Sequence, residues 1–305
     1  MRTTSLAAAD DRRHRPAPGQ AGRDSLFFTL LLPEERLWVF LYTWVDGAGQ
    51  AGRLVLVTDE SGGPVVEDAV ARVDVGERDF DDWEVRGLRL RHTDPLQTVH
   101  VAYEGDGVAI DYTFTGSHEA FGYAQNAIGC PQWMAADRLE QAGRATGSLT
   151  LAGRRVAFDG VPMHRDHSWG ARDWRMPQHW KWVVAHTPSG LAVNLFQWIA
   201  RGQVGVNGYV VRDGEPVGLV DARCEATYDA DMTNRALRAT LVDETGASTE
   251  VTLERFAHAR LPVGSGTIIN EAGCHATIDG EAGVGQFEAQ WPASYVQHLT
   301  GGGLA

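Results

Sequence analysis

The stretch Thr98-Val99-His100-Val101-Ala102-Tyr103, Glu104-Gly105-Asp106-Gly107, Val108-Ala109-Ile110-Asp111-Tyr112-Thr113-Phe114-Thr115 decides the fold class. Apolar and polar side chains alternate along both arms with a period near two, the signature of half-buried strands. Asp106-Gly107 between them is a hairpin signal, because a tight turn needs the positive φ that Gly adopts freely. The same punctuation recurs on either side. Residues 26–32 and 37–45 are strands rich in Phe, Trp, Tyr and Leu around Pro33-Glu34-Glu35, Asp46-Gly47 opens a turn, and residues 53–58 and 84–91 follow. In the second half, residues 181–186, 191–199, 205–212, 217–225, 237–242 and 249–256 read as strands, with Asp213-Gly214 joining two of them. Residues 273–278 and 283–290 close the chain around Asp279-Gly280. No amphipathic helix exceeds about two turns; Asp24-Ser25 and Pro33-Glu34-Glu35 are candidate starts of short ones. About sixteen strands exceed one small barrel. The expectation is therefore an all-β chain: a disordered tail over residues 1–24, one β-domain over 25–172 and a second over 173–305, with Pro177 near the junction.

Composition limits the function. The 305 residues carry a formal net charge of -13, the wrong sign for binding nucleic acid or anionic lipid by charge. Lys181 is the only Lys among 27 cationic residues. Cys130, Cys224 and Cys274 are far apart and lack CxxC spacing, which argues against a disulfide scaffold or a Cys-rich zinc site and fits a reducing, cytoplasmic compartment. No apolar run reaches the eighteen or so residues of a membrane span. There is no Gly-rich phosphate loop, since Gly264-Ser265-Gly266 is too short and lacks Lys. The expected partner is a small hydrophobic molecule, with no nucleic acid, membrane insertion or cofactor.

The densest chemistry lies at residues 164–182, which hold three His, four Trp, two Asp and four cationic side chains. Polar groups set beside buried aromatic surface have shifted pKa values and build sites. On an extended segment, Asp166, Ser168 and Gly170 share one face while Arg165, His167 and Trp169 share the other. Asp166 and His167 are the candidate proton donors, with Arg165 and Trp169 beside the substrate; the competing structural role for Asp166 is an ion pair with Arg172. His118 is the third catalytic candidate, as partner to His167, or else a surface-loop histidine. It follows a strand and is polar among apolar neighbours, and Tyr123 and Glu140 after it are candidate substrate-binding residues. Trp180, Trp182, Asn194 and Trp198 alternate along two adjacent strands with Phe196, either as the lining of an apolar pocket or as barrel core. His164, Asp166, His167, His179 and His186 could donate to a metal, yet HExxH and any clean two-His-one-carboxylate spacing are missing. No metal is expected. A Ser-His-Asp hydrolase is disfavoured, because Ser168 has no nucleophile-elbow glycines.

Asp166-His167-Ser168-Trp169-Gly170 resembles the signature of the carotenoid 1,2-hydratase and AttH-like proteins, in the bacterial branch with Arg165 leading it. Glu140-Gln141 followed by Gly143, Gly147, Gly153 and Gly160, and Asn207-Gly208-Tyr209 downstream, are similar to that branch. The resemblance spans roughly residues 27–291. It implies two lipocalin-like barrels packed side by side, no required cofactor, and chemistry that adds water to an isoprenoid double bond by proton transfer or cyclises polyketides. The family's His-x-Trp pair falls on His167 and Trp169. Its downstream Tyr-x-Asp has no counterpart, the comparable strand carrying Asn194, Phe196 and Gln197. The expected function is a cofactor-free acid–base enzyme, a hydratase or dehydratase, isomerase or cyclase. Its substrate would be a terpenoid, steroid or polyketide-like molecule in a barrel pocket. The alternative is a lipid or hydrophobic-ligand carrier without chemistry.

Overall fold

The computed structural model describes residues 6–17, 21–264 and 266–301. The first sheet contains β1 (Arg23–Leu32), β2 (Leu37–Asp46), β3 (Gln50–Thr58), β4 (Pro64–Asp74), β5 (Asp82–Val85), β6 (Leu88–Asp94), β7 (Thr98–Gly105), β8 (Val108–Gly116), β9 (Phe121–Gly122), β10 (Asp137–Leu151) and β11 (Arg154–Gly170). Its hydrogen-bonded order is β4-β3-β2-β1-β11-β10-β8-β7-β6-β5, with β9 joined to β10. The second contains β12 (Pro177–His186), β13 (Ala192–Ala200), β14 (Gln203–Arg212), β15 (Glu215–Tyr228), β16 (Asn234–Asp243), β17 (Ser248–Val263), β18 (Thr267–Ile278) and β19 (Glu281–Pro292), in a closed antiparallel barrel. The fold is two antiparallel barrel domains, as the turn spacing implied. The chain crosses between them at residues 171–176.

Side-chain parity explains how they pack. In β1, Leu26, Phe28, Leu30 and Leu32 fill the first barrel, while Phe27 and Leu31 join a separate cluster outside it. In β12 and β13, Val183, Ala185, Val193 and Leu195 fill the second barrel, and Trp180, Trp182, Val184, Phe196 and Trp198 join that same outer cluster. Thus each barrel has its own core, and a third, aromatic cluster lies between the two. Strands buried on both faces read as near-continuous apolar runs, which is why β1 and β2 look unlike the alternating β7 and β8. Gly273 lets the domains approach, since a Cβ there would lie 2.9 Å from Trp38 Cγ.

Two expectations change. Residues 1–5 and 18–20 of the expected tail lie outside the described residues, but residues 6–17 are docked. Asp11 is buried and meets Arg165 at 2.8 Å and the Leu96 N–H at 2.6 Å, and His14 stacks on Trp169 with centroids 3.9 Å apart. Buried charge partners, not hydropathy, hold this strap, so composition alone could not show it. Asp24-Ser25 starts no helix; both residues belong to β1. A short helix, α1 (Ala293–Leu299), follows the last strand instead. Among the described residues, no helix is long and apolar enough to cross a membrane.

Candidate active site

A cavity of about 350 Å³ opens between the two domains rather than inside either barrel. Phe27, Phe40, Tyr42, Trp44 and Leu54 from the first sheet and Trp182, Leu261 and Ile269 from the second barrel make its apolar walls. Its charged groups are Asp166, Arg138, Arg23 and Arg172 on one side and Glu271 and Glu288 on the other.

The carboxyls are placed by strand register. Antiparallel pairing sets Glu140 of β10 directly opposite Asp166 of β11. Two acids facing each other in a buried sheet repel, and the sequence answers with Arg138, two residues from Glu140 on the same face. Its Nε lies 2.5 Å from Glu140 and its Nη2 2.6 Å from Asp166. Glu140 also accepts from Trp182 Nε1 at 2.8 Å, and the Tyr123 hydroxyl lies 3.0 Å away. His164 Nε2 lies 2.7 Å from its other oxygen. Tyr123 in turn approaches Asn194 at 3.1 Å. Glu140, Tyr123 and Asn194 therefore form the backing of the site and do not line the cavity.

Burial pushes the Asp166 carboxyl up to about 7, against the opposing pull of Arg138. Glu140 is also raised, by burial, again with Arg138 opposing. On the facing wall the pairing of β18 with β19 sets Glu271 directly opposite Glu288. Glu271 is hydrogen-bonded to Glu288 and accepts from Gln286 Nε2 at 2.8 Å; Trp180 Nε1 donates to Glu288. Burial and the adjoining Glu288 raise Glu271 well above the ordinary carboxylate range. Two acids sharing a dry site do not readily both ionise, and Glu271 is the one whose proton is held more tightly.

The parity inferred for residues 165–170 is what the structure has, but its consequence differs from the expectation. Asp166 faces the cavity together with Ser168. His167, Arg165 and Trp169 point through the sheet to the opposite face. There His167 Nε2 lies 2.6 Å from Asp24, Arg165 binds Asp11 and Gln141, and Trp169 stacks on His14. They close the strap end of the first barrel and do not reach the cavity. Nor does Asp166 pair with Arg172, which instead donates to the Met134 carbonyl at 3.0 Å and to Ser168 Oγ at 3.2 Å. His118 is neither on a surface loop nor beside His167. It is buried against Tyr209, accepts from the Ala142 N–H at 3.0 Å, and is pushed down to about 4 by burial. Of the Trp set, Trp182 lines the cavity, Trp180 holds Glu288, and Trp198 packs edge-on against Trp133.

Sequence reasoning missed Arg138, Glu271, Glu288, Arg23 and Arg172 as site residues. A signal for two of them existed. Asp279-Gly280 is a two-residue turn, so Ile278 meets Glu281, and counting outward brings Glu271 opposite Glu288. Among the described residues, one group has metal-ligand spacing: His14, Asp24 and His167 offer atoms within 4.8 Å of one another. It lies across the sheet from the cavity and includes a His and Asp already at hydrogen-bond distance.

Three solved structures share this architecture. An AttH-like protein from Nitrosomonas europaea superposes with a TM-score of 0.63 at 13% identity, over 92% of this chain and 99% of that one. Kievitone hydratase from Nectria haematococca gives 0.64 at 12% identity, over 94% and 92%. CghA gives 0.61 at 14% identity, over 90% and 89%. At these identities the likeness is one of fold. No curated protein matches the sequence significantly. A family described as a domain of unknown function, DUF7064, matches residues 7–293, and the chain belongs to that family.

Proposed function

We propose that the protein is an acid–base enzyme that adds water to, or removes it from, an apolar substrate held between its two domains. The observation that carries this reading is the set of three carboxyls, Asp166, Glu271 and Glu288, on the walls of a cavity whose remaining lining is aromatic and aliphatic apart from Ser168 and three arginines. Burial raises Asp166 to about 7, so part of it stays protonated at neutral pH, and raises Glu271 well above the ordinary carboxylate range, as a general acid requires. A carrier needs an apolar cavity with a few orienting groups and has no use for stored protons.

In the hydration direction, the Glu271–Glu288 pair gives its proton to one alkene carbon. The π bond breaks, a C–H bond forms, and positive charge develops on the neighbouring carbon. The faces of Trp182, Tyr42 and Phe40 stabilise it by about 0.5–2 kcal/mol each. Water attacks that carbon, and the proton it sheds returns to the carboxylate pair. Dehydration is the reverse, while isomerisation and cyclisation share the first step. The name of kievitone hydratase, a structural neighbour, supports water addition over the other outcomes. Terpenoids, steroids and polyketides are the apolar substrate classes that fit these walls.

The test uses an apolar metabolite extract of the source cells, incubated with the protein in ¹⁸O-water and followed by mass spectrometry. A hydratase gives a product heavier by one labelled water. Asp166→Asn and Glu271→Gln each slow its formation by about 10²-fold. A ligand that is retained and recovered unchanged from the wild-type protein refutes the reading and makes the chain a carrier.

A further inference from the structure

Two cations of the cavity are left without counterions. Arg138 is committed to Glu140 and Asp166. Arg23 and Arg172 form no ion pair with a carboxylate among the described residues. The Arg23 guanidinium lies over Trp44 at 4.6 Å and Tyr42 at 5.3 Å from the ring centroids, and its buried Nε has no hydrogen-bond partner. Arg172 lies over Trp174 at 5.0 Å and uses part of its fork on Met134 and Ser168. Burial, joined by Arg138 and Arg23 and opposed by Tyr42 and Asp166, lowers the Arg172 pKa. Arginine is the residue suited to planar oxygen anions, and an unpaired one in an apolar site is costly until such a group arrives. The facing wall of the same cavity carries the acid pair Glu271 and Glu288. One molecule therefore meets stored protons at one region and unpaired guanidinium groups at another.

We propose that the substrate carries a carboxylate on its apolar body, and that Arg23 and Arg172 hold this group while the reacting carbon lies against the carboxyls. This rests on the reading of the cavity as the substrate site. At about 350 Å³ the cavity is at the lower end of the volumes that enclose drug-sized ligands, which suits a compact acid of a few fused rings or a short branched chain.

Naphthylacetate and naphthylethanol share one apolar body and differ in charge. Calorimetric titration at about pH 8, where the acid is fully ionised, compares them. The expected result is naphthylacetate binding at least about tenfold more tightly to the wild-type protein, with the ratio falling toward one in both Arg23→Gln and Arg172→Gln. The wild-type ratio needs no variant, so the test survives a substitution that fails to fold. Equal binding of the two probes, or a ratio that survives both substitutions, overturns the inference and leaves the cavity as an apolar site. Failure of both probes to bind overturns the inference together with the proposed function.

Discussion

Replacing Arg138 by Gln tests the electrostatics of the site without knowledge of the substrate. Arg138 is buried and lies within 2.6 Å of both Glu140 and Asp166. At about pH 6 Asp166 is mostly protonated, and the variant loses chiefly two charge-assisted hydrogen bonds, together worth about 3 kcal/mol. At higher pH the loss grows. A carboxyl whose folded pKa is raised contributes stability that is complete below its unfolded pKa and is lost as pH rises through the folded value, here about 7 for Asp166. Arg138 favours the ionised form, so removing it moves the folded pKa higher still. Between about pH 7 and the new value, the wild type has released the proton while the variant must keep it. The difference widens by about 1.4 kcal/mol per pH unit, or about 2 kcal/mol by pH 8.5. With roughly 2 °C of Tm per kcal/mol at this chain length, the Tm gap between wild type and variant should grow from about 6 °C at pH 6 to about 10 °C at pH 8.5. Scanning calorimetry of both proteins at the two pH values measures it. A gap of the same size at both would refute the claim that Arg138 neutralises titrating carboxyls. Adding Asp166→Asn to the variant should recover most of the pH-dependent part, because the group that must hold its proton in the folded state is then gone.

Other outcomes follow from the same geometry. Asp11→Ala leaves Arg165 buried without its ion partner and should cost about 3–5 kcal/mol, with faster proteolysis of the N-terminal strap; a silent substitution would mean the strap is not docked in solution. Gly147→Ala sets a Cβ 2.1 Å from the Asp111 carbonyl oxygen of β8, at the register shift between β10 and β11, and should cost about 1–3 kcal/mol by denaturant titration. His118 has a folded pKa lowered to about 4, so it stabilises the fold above the unfolded value near 6.5 and this is lost as pH falls toward 4. His118→Gln should therefore remove up to about 3 kcal/mol of the acid sensitivity, and an unchanged stability–pH curve below pH 6.5 would contradict its burial as a neutral ring.

The sequence by itself determined the strands, their antiparallel hairpins and the division into two β-domains. Those features depend on period-two hydrophobicity and on Asp-Gly turns, and each is a property of neighbours along the chain. It also separated Asp166 from His167, because adjacent side chains on a strand cannot share a face. Which of the two faces met the cavity was decided only by tertiary structure. Residue parity is relative, and the lumen of one barrel, its strap end and the gap between the domains are all apolar surroundings with the same local signature. Trp182 and Trp198 share parity and chemistry, yet one lines the cavity and the other packs on Trp133, since strand curvature and the second domain differ at their two positions. Arg138, Glu271, Glu288, Arg23 and Arg172 come from four strands and the linker between the domains. Only the packing of one domain on the other brings them around a single volume, and the burial that comes with it shifts the pKa values of Asp166, Glu271 and Arg172.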